Sequence, residues 1–249
     1  MSRRARAGAH PPRDLLVAAS AYYRPAGAFA WRFARGKLAG DPVFSAILAR
    51  GLLAGRTRIL DLGCGQGLLA AWLLAAHACH ASAAPGVWPA AWPAPPTLAA
   101  YCGVDINAHE VARARRAFAL DPGARVEIVH GDIRDVDYAA ADAVVILDVL
   151  HYLDFRAQEK VLQRVRRTLT PRGLLLLRVG DAAGGAGFAF SRAVDSTVAL
   201  LRHRRWVRLS CRPLEEWHAL LERCGFSARP IPMSAGTPFV NVLLCAEPA

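Results

Sequence analysis

From Thr57 onward, short runs of consecutive apolar residues alternate with stretches whose apolar side chains recur every three to four positions. The first pattern suits buried strands and the second suits helices laid against them. Such alternation predicts a βαβ architecture with a largely parallel sheet. Strands are expected near 57–62, 100–105, 124–129, 142–148 and 172–179, with helices near 66–77, 107–119 and 155–168. In the last helix Val161, Leu162, Val165 and Leu169 share one stripe, and its arginines fall outside that stripe. Thr170-Pro171-Arg172-Gly173 is expected to end this helix before the next strand.

The flanks read differently. Beyond the fifth strand a long helix is expected over 187–203. Another follows near 213–224, opened by Arg212-Pro213 and closed at Gly225, and two last strands lie near 226–232 and 238–246. Ahead of the core, residues 14–53 read as helical, with Tyr22, Tyr23, Phe29, Trp31 and Phe33 as large packing groups. The chain is thus expected to comprise a basic, disordered tail (1–13), a helical cap (14–53) and one α/β domain (54–249). Two insertions interrupt the domain, a Pro/Trp loop at 78–99 and a helical segment at 187–211. Prolines delete donors and clash with the preceding turn, so the first insertion is expected as an exposed loop pinned by Trp88 and Trp92.

Composition narrows the setting. The residues are 54% hydrophobic, but no apolar run approaches the ~18 residues of a membrane span. The first fourteen residues lack the apolar core of a secretory signal. The six cysteines form no C-x-x-C pair, which implies a reduced, cytoplasmic setting with thiols serving as small hydrophobes. His77-Ala78-Cys79-His80 has no second ligand pair downstream, so no metal site is expected. The formal charge is +11, carried almost wholly by arginine, since Lys37 and Lys160 are the only lysines. Positive charge gathers at Arg3–Arg13 and at Arg202–Arg212 around Trp206. The second cluster is either a contact for an anionic ligand or nucleic acid, or a solvated helix end.

The most informative residues are Ile59-Leu60-Asp61-Leu62-Gly63-Cys64-Gly65-Gln66-Gly67. A buried strand runs into a glycine turn and then a helix. A Cβ in that turn would keep the backbone from a ligand, and N–H groups at the helix start favour negative charge. This stretch resembles motif I of the class I S-adenosylmethionine (SAM)-dependent methyltransferases, an acidic residue followed by G-x-G-x-G. The dinucleotide fingerprint G-x-G-x-x-G is not met, because Leu68 follows Gly67. Further segments fall in that family's order: Gly103-Val104-Asp105-Ile106-Asn107, His130-Gly131-Asp132-Ile133, and the fourth strand ending in Asp148-Val149-Leu150-His151.

The resemblance is strong over about 57–180 and looser beyond. It implies a Rossmann-like α/β fold: a seven-stranded, mostly parallel sheet in the order 3-2-1-4-5-7-6, strand 7 antiparallel, flanked by helices and topped by an N-terminal helical lid. It also implies SAM as cofactor, held by Gly63, Cys64, Gly65 and Gly67. Asp61 would face the methionine ammonium, Asp105 the ribose hydroxyls, Asp132 the adenine amino group and Ile133 the ring, with Ile106 also in the cofactor site and Asp148 at the sheet's ligand edge. A lone aspartate after a strand otherwise reads as a helix cap.

Methyl transfer is an in-line displacement, so positioning and water exclusion are the protein's main tasks. A base is needed only where the acceptor loses a proton. His151 is the candidate base, or else a pocket wall with Tyr152. Arg178 and Asp181 are candidates for holding an acidic acceptor and orienting a hydroxyl, or form an ordinary ion pair. Asp148-Val149-Leu150-His151 departs from the N/D-P-P-Y/F pattern of amino-methylating DNA enzymes, and no nucleic-acid module accompanies the core. A small-molecule acceptor is therefore expected, with an RNA-modifying enzyme or a non-catalytic SAM-binding protein as alternatives.

A finer resemblance, to a bacterial subgroup associated with aryl-polyene and acyl biosynthetic clusters, rests on three sets of residues. They are Arg35-Gly36-Lys37-Leu38 with Asp41-Pro42-Val43-Phe44, His151-Tyr152-Leu153-Asp154, and Gly236-Thr237-Pro238-Phe239 with Asn241-Val242-Leu243-Leu244. It implies an aromatic or carrier-bound acyl acceptor and an acidic acyl carrier protein as partner.

Overall fold

The computed structural model describes residues 11–82, 86–182, 209–234 and 241–249. The basic tail up to His10, most of the 187–211 insertion with Trp206, and Gly236–Phe239 lie outside the described residues. The chain forms two compact units, residues 1–132 and 133–249.

The first unit opens with three helices, α1 (Arg13–Ala21), α2 (Ala28–Gly40) and α3 (Pro42–Ala49). Asp41 starts α3, accepting the Val43 N–H at 3.1 Å, and Pro42 fits the first turn because its missing donor has no partner there anyway. Strand β1 (Arg58–Leu62), helix α4 (Leu68–Ala81), strand β2 (Ala100–Asp105), helix α5 (Ala108–Phe118) and strand β3 (Val126–His130) follow. The three strands pair in parallel, Asp61 opposite Gly103 and Asp105 opposite His130.

Helix α4 buries Leu68–Leu73 continuously, and the N-terminal helices α1 and α2 pack against it. Its Trp72 is fully buried and donates from Nε1 to the Phe44 carbonyl at 2.9 Å, while their rings meet edge to face. The N-terminal helices therefore share one core with β1–β3. The first compact unit accordingly takes in these helices together with β1–β3. Helix α4 also runs to Ala81, four residues into the expected loop, because no proline occurs before Pro85. Beyond it Trp88 meets Trp92 and His80 edge to face, at 5.5 and 5.6 Å between ring centroids.

The second unit holds β4 (Ala141–Leu147), α6 (Phe155–Thr168), β5 (Leu169–Gly180), α7 (Leu214–Arg223), β6 (Phe226–Pro232) and β7 (Asn241–Pro248). Asp154 caps α6 by accepting the Ala157 N–H. Val161, Leu162 and Val165 are buried as the sequence stripe predicted, with Gln158 on the same face. Strand β5 begins earlier than expected, at Leu169, and takes in Thr170–Gly173 as an irregularity: Ala141 pairs with Leu169 but Ala143 with Leu174. Gly173 permits this fold-back, since a Cβ there would lie 2.8 Å from Leu169 Cδ2 and 2.9 Å from the Thr170 carbonyl oxygen. Strands β4 and β5 are parallel, whereas β7 is antiparallel to both β5 and β6. The edge strand β6 carries Pro230 and Pro232.

The strand order is β3-β2-β1-β4-β5-β7-β6 in one seven-stranded sheet, the order the resemblance implied. No helix among the described residues is long and apolar enough to cross a membrane.

Trp72→Phe removes the donor to Phe44 and part of the core volume. An unfolding free energy lower by about 2 kcal/mol is expected in urea denaturation. Unchanged stability would contradict the assignment of α1–α4 to one core.

Candidate functional site

In the first unit, β1 stops at Leu62 because the next backbone groups turn aside. The N–H groups of Gly63 and Cys64 both reach the Val104 carbonyl, at 2.7 and 3.0 Å, and Gly67 closes the turn onto the Cys64 carbonyl at 2.9 Å. Gly63, Gly65 and Gly67 have φ of 82°, 56° and 73°, a region that side chains other than glycine's rarely adopt. Their surroundings differ. A Cβ on Gly67 would press the Phe118 ring at 3.0 Å, so that glycine serves packing, whereas a Cβ on Gly65 would meet nothing within 4 Å. Gly65 thus leaves bare backbone beside open space. Cys64 is buried and packs on Gly103, where a Cβ would lie 2.8 Å from its sulfur.

Asp105, at the tip of β2, binds this loop directly. One carboxylate oxygen accepts the Gly65 N–H and the other the Asn107 N–H, each at 2.8 Å. Each oxygen keeps a lone pair for a further donor. Ile106 beside it is 55% exposed, unusual for its type. The His130 ring lies 3.1 Å from the Ile106 carbonyl oxygen. Asp132 is half-buried in the turn after β3.

Beneath the loop is a group that sequence reasoning only half described. Asp61 is 4% exposed, and its carboxylate takes the hydroxyl hydrogen of buried Tyr101. Burial raises the Asp61 pKa from the ordinary 3.8 to about 7, the Tyr101 hydrogen bond opposes that rise, and the charge of Asp105 adds to it. Tyr23, at the end of α1 and fully buried, donates to the Gln66 carbonyl at 2.9 Å. Burial lifts both tyrosines well above their usual range, followed by nearby Asp61 and Cys64. From the sequence Tyr23 reads only as a packing group and Tyr101 only as part of the second strand, because no spacing links either to Asp61 or Gln66.

In the second unit, Asp148 follows β4 with φ of 59°, a left-handed conformation uncommon for residues other than glycine, though aspartate adopts it more readily than most. Its side-chain partner is Arg178 on β5. Its guanidinium grips the Asp148 carboxylate through both Nε, at 2.8 Å, and a terminal nitrogen. Arg178 is itself 3% exposed. Asp181 accepts the Leu214 N–H at 3.1 Å and so caps α7. From the sequence, Arg178 and Asp181 are expected either to serve an acceptor or to form an ion pair; the structure joins Arg178 to Asp148 and Asp181 to the start of α7.

His151 sits half-buried in a short 3-10 turn, Leu150–Tyr152, with its ring 4.2 Å from that of Tyr152. Gln158 of α6 fixes this turn. Fully buried, it donates to the carbonyls of Leu150, Leu153 and Ser210 and accepts from Arg212 at 2.8 Å. Ser210 in turn donates to the His151 carbonyl. A polar residue three, four and seven positions ahead of Val161, Leu162 and Val165 is a signal the sequence carries: glutamine inside an apolar stripe has backbone to satisfy. Among the described residues no group of three or more His, Cys, Asp or Glu side chains is arranged to hold a metal.

Asp61→Asn should change the pH profile of stability. Between about 4 and 7 the folded protein holds a proton on Asp61 that an unfolded chain has released, so this group's contribution falls as pH rises through that window. The stability of the variant relative to the native protein is expected to improve steadily over that range in denaturant titrations. A pH-independent difference would rule out the raised value.

Comparison with known proteins places these features in a family context. Residues 60–175 match the model of a methyltransferase domain. The carboxy-S-adenosyl-L-methionine synthase of Chromohalobacter salexigens is 38% identical over 84 residues, 33% of this chain and 31% of that protein. This chain thus spans about a third of that relative's length. The structure of the mitomycin 7-O-methyltransferase MmcR superposes with a TM-score of 0.59 at 22% identity, covering 92% of this chain and 61% of that one. Magnesium protoporphyrin IX methyltransferase from Synechocystis PCC 6803, solved with bound S-adenosylhomocysteine (SAH), gives 0.57 at 19% identity, covering 89% and 88%. At these identities the likeness to the solved structures is one of fold.

Proposed function

We propose that this chain, whose residues 60–175 match the model of a methyltransferase domain, is a class I SAM-dependent methyltransferase that transfers a methyl group from SAM to a small-molecule acceptor. The observation that carries the reading is Gly65, with open space where a side chain would stand and Asp105 bound to its N–H. SAM supplies a methyl group activated by the positive charge on its sulfur.

The residues fit such a ligand in shape and charge. Gly63 and Gly65 let the backbone approach, and the remaining lone pairs of Asp105 accept ribose hydroxyls. Ile106 covers an adenine face, which accounts for an apolar side chain left in water. Asp132 accepts the adenine amino group and Ile133 meets the ring. Asp61 and Asp105 gather two carboxylates at the loop, and a ligand with a sulfonium and an ammonium is their charge complement. A cation there favours the ionised form of Asp61, so cofactor uptake releases a proton near neutrality.

On the acceptor side, His151 is the base where a hydroxyl must lose its proton, and Gln158 keeps its turn in place. Arg178 acts through Asp148, whose backbone it holds at the end of β4. The mitomycin and magnesium protoporphyrin enzymes of like fold are named for small molecules, which supports that acceptor class here. The finer reading is an aromatic or carrier-bound acyl acceptor.

Asp105→Ala is expected to weaken SAM binding about tenfold or more in calorimetry, since a charge-assisted hydrogen-bonding group is removed. Native-like affinity would refute the cofactor assignment. His151→Ala is expected to leave SAM affinity unchanged while lowering turnover by roughly a hundredfold, using an acceptor found by screening with methyl-labelled SAM. Unchanged turnover would reduce His151 to a wall. Tight SAM binding with no transfer to any acceptor would favour a non-catalytic binding protein.

A further inference from the structure

The arginine of α6 at position 164 has no role in the reading above, yet its guanidinium is held by three backbone carbonyls and one aromatic ring. Its guanidinium donates to three carbonyls of one short segment: Ile133 at 3.1 Å, and Arg134 and Val136 at closer range. Its flat face lies 4.2 Å from the ring centroid of Tyr138, whose hydroxyl donates to the same Ile133 carbonyl. An exposed arginine on a helix ordinarily waves in solvent or pairs with a carboxylate. Here a planar fork collects the carbonyls of a loop and a tyrosine clamps the fork from its face.

The arrangement has a directional consequence. In a trans peptide the carbonyl and the following N–H point in opposite directions. Turning the carbonyls of Ile133, Arg134 and Val136 toward α6 therefore turns the N–H groups of residues 134, 135 and 137 away from it. Arg164 thus sets which way the segment presents its donors. A lysine reproduces the charge but neither the fork nor the stack, and methionine reproduces neither charge nor donors.

Within the cofactor reading above, Asp132 and Ile133 recognise the adenine ring. We infer that Arg164 is a positioning residue for adenine recognition, acting by fixing the orientation of the peptide groups from Ile133 to Tyr138. It touches no part of the ligand. Its effect falls on how well the loop distinguishes adenine from another base, and much less on the sugar or methionine ends, which other residues hold.

The test compares Arg164→Met and Arg164→Lys with the native protein. Binding of SAH and of its hypoxanthine counterpart, S-inosylhomocysteine, is measured by calorimetry, with thermal melts to establish that each variant is folded. The native protein is expected to prefer the adenine compound. Arg164→Met is expected to lose about tenfold in SAH affinity with little change for the hypoxanthine compound, so that the preference collapses. Arg164→Lys falls between the two. Folded variants that keep the native preference, or that lose affinity for both compounds in equal proportion, overturn the inference. If the native protein binds neither compound, the cofactor reading fails on its own account. The bracing is then judged by amide hydrogen exchange, where residues 134–137 must exchange faster in Arg164→Met than in the native protein while the amides of β4 and β5 do not change.

Discussion

A single carboxylate, Asp105, accepts hydrogens from the middle glycine of one loop and from the residue that opens α5. That pair of bonds ties the ends of two adjacent strands together at the point where the backbone turns into left-handed conformations. Three glycines make the turn possible, but they do not choose its shape, because glycine is permissive and not directive. The choice comes from fixed acceptors around it: Val104 for two amides, Asp105 for a third, and Tyr23 holding the Gln66 carbonyl from the other side. A flexible segment becomes a defined cradle because its polar groups are already assigned.

The same economy recurs in the second unit, where α6 serves as a scaffold for irregular chain. Gln158 gathers carbonyls from the His151 turn and from Ser210, and Arg164 gathers those of the 133–136 segment. Loops that carry chemistry need many backbone groups satisfied without regular pairing. Long side chains with several donors on a rigid helix meet that need at small conformational cost.

Much of this was legible in the sequence, for identifiable reasons. Strand and helix positions followed from unbroken apolar runs such as Leu174–Leu177 and from the Val161–Val165 stripe, because burial fixes periodicity. The glycine loop and Asp105 were legible because strand, turn and helix signals coincide within a few residues. The early start of β5 was not, since Pro171 and Gly173 signal a break whether the chain leaves the sheet or bulges within it. The Asp61–Tyr101 couple, the Arg178 grip on Asp148 and the bracing by Arg164 were illegible for a deeper reason. Each joins residues thirty or more positions apart, or a side chain to a backbone carbonyl that has no identity in the sequence. The partnership of the N-terminal helices with β1–β3 depended likewise on Trp72 reaching Phe44, a contact no local pattern announces.

The two prolines of β6 bear on how molecules of this chain meet one another. Spaced two apart on a strand that among the described residues pairs only with β7, Pro230 and Pro232 delete amide donors along the same side of the ribbon. With its inner side committed to β7, that boundary has few hydrogens left to offer an incoming extended peptide. Oligomers grown by continuing the sheet from this margin are thereby disfavoured, and exposed Arg229 beside the prolines adds charge against fibrillar stacking.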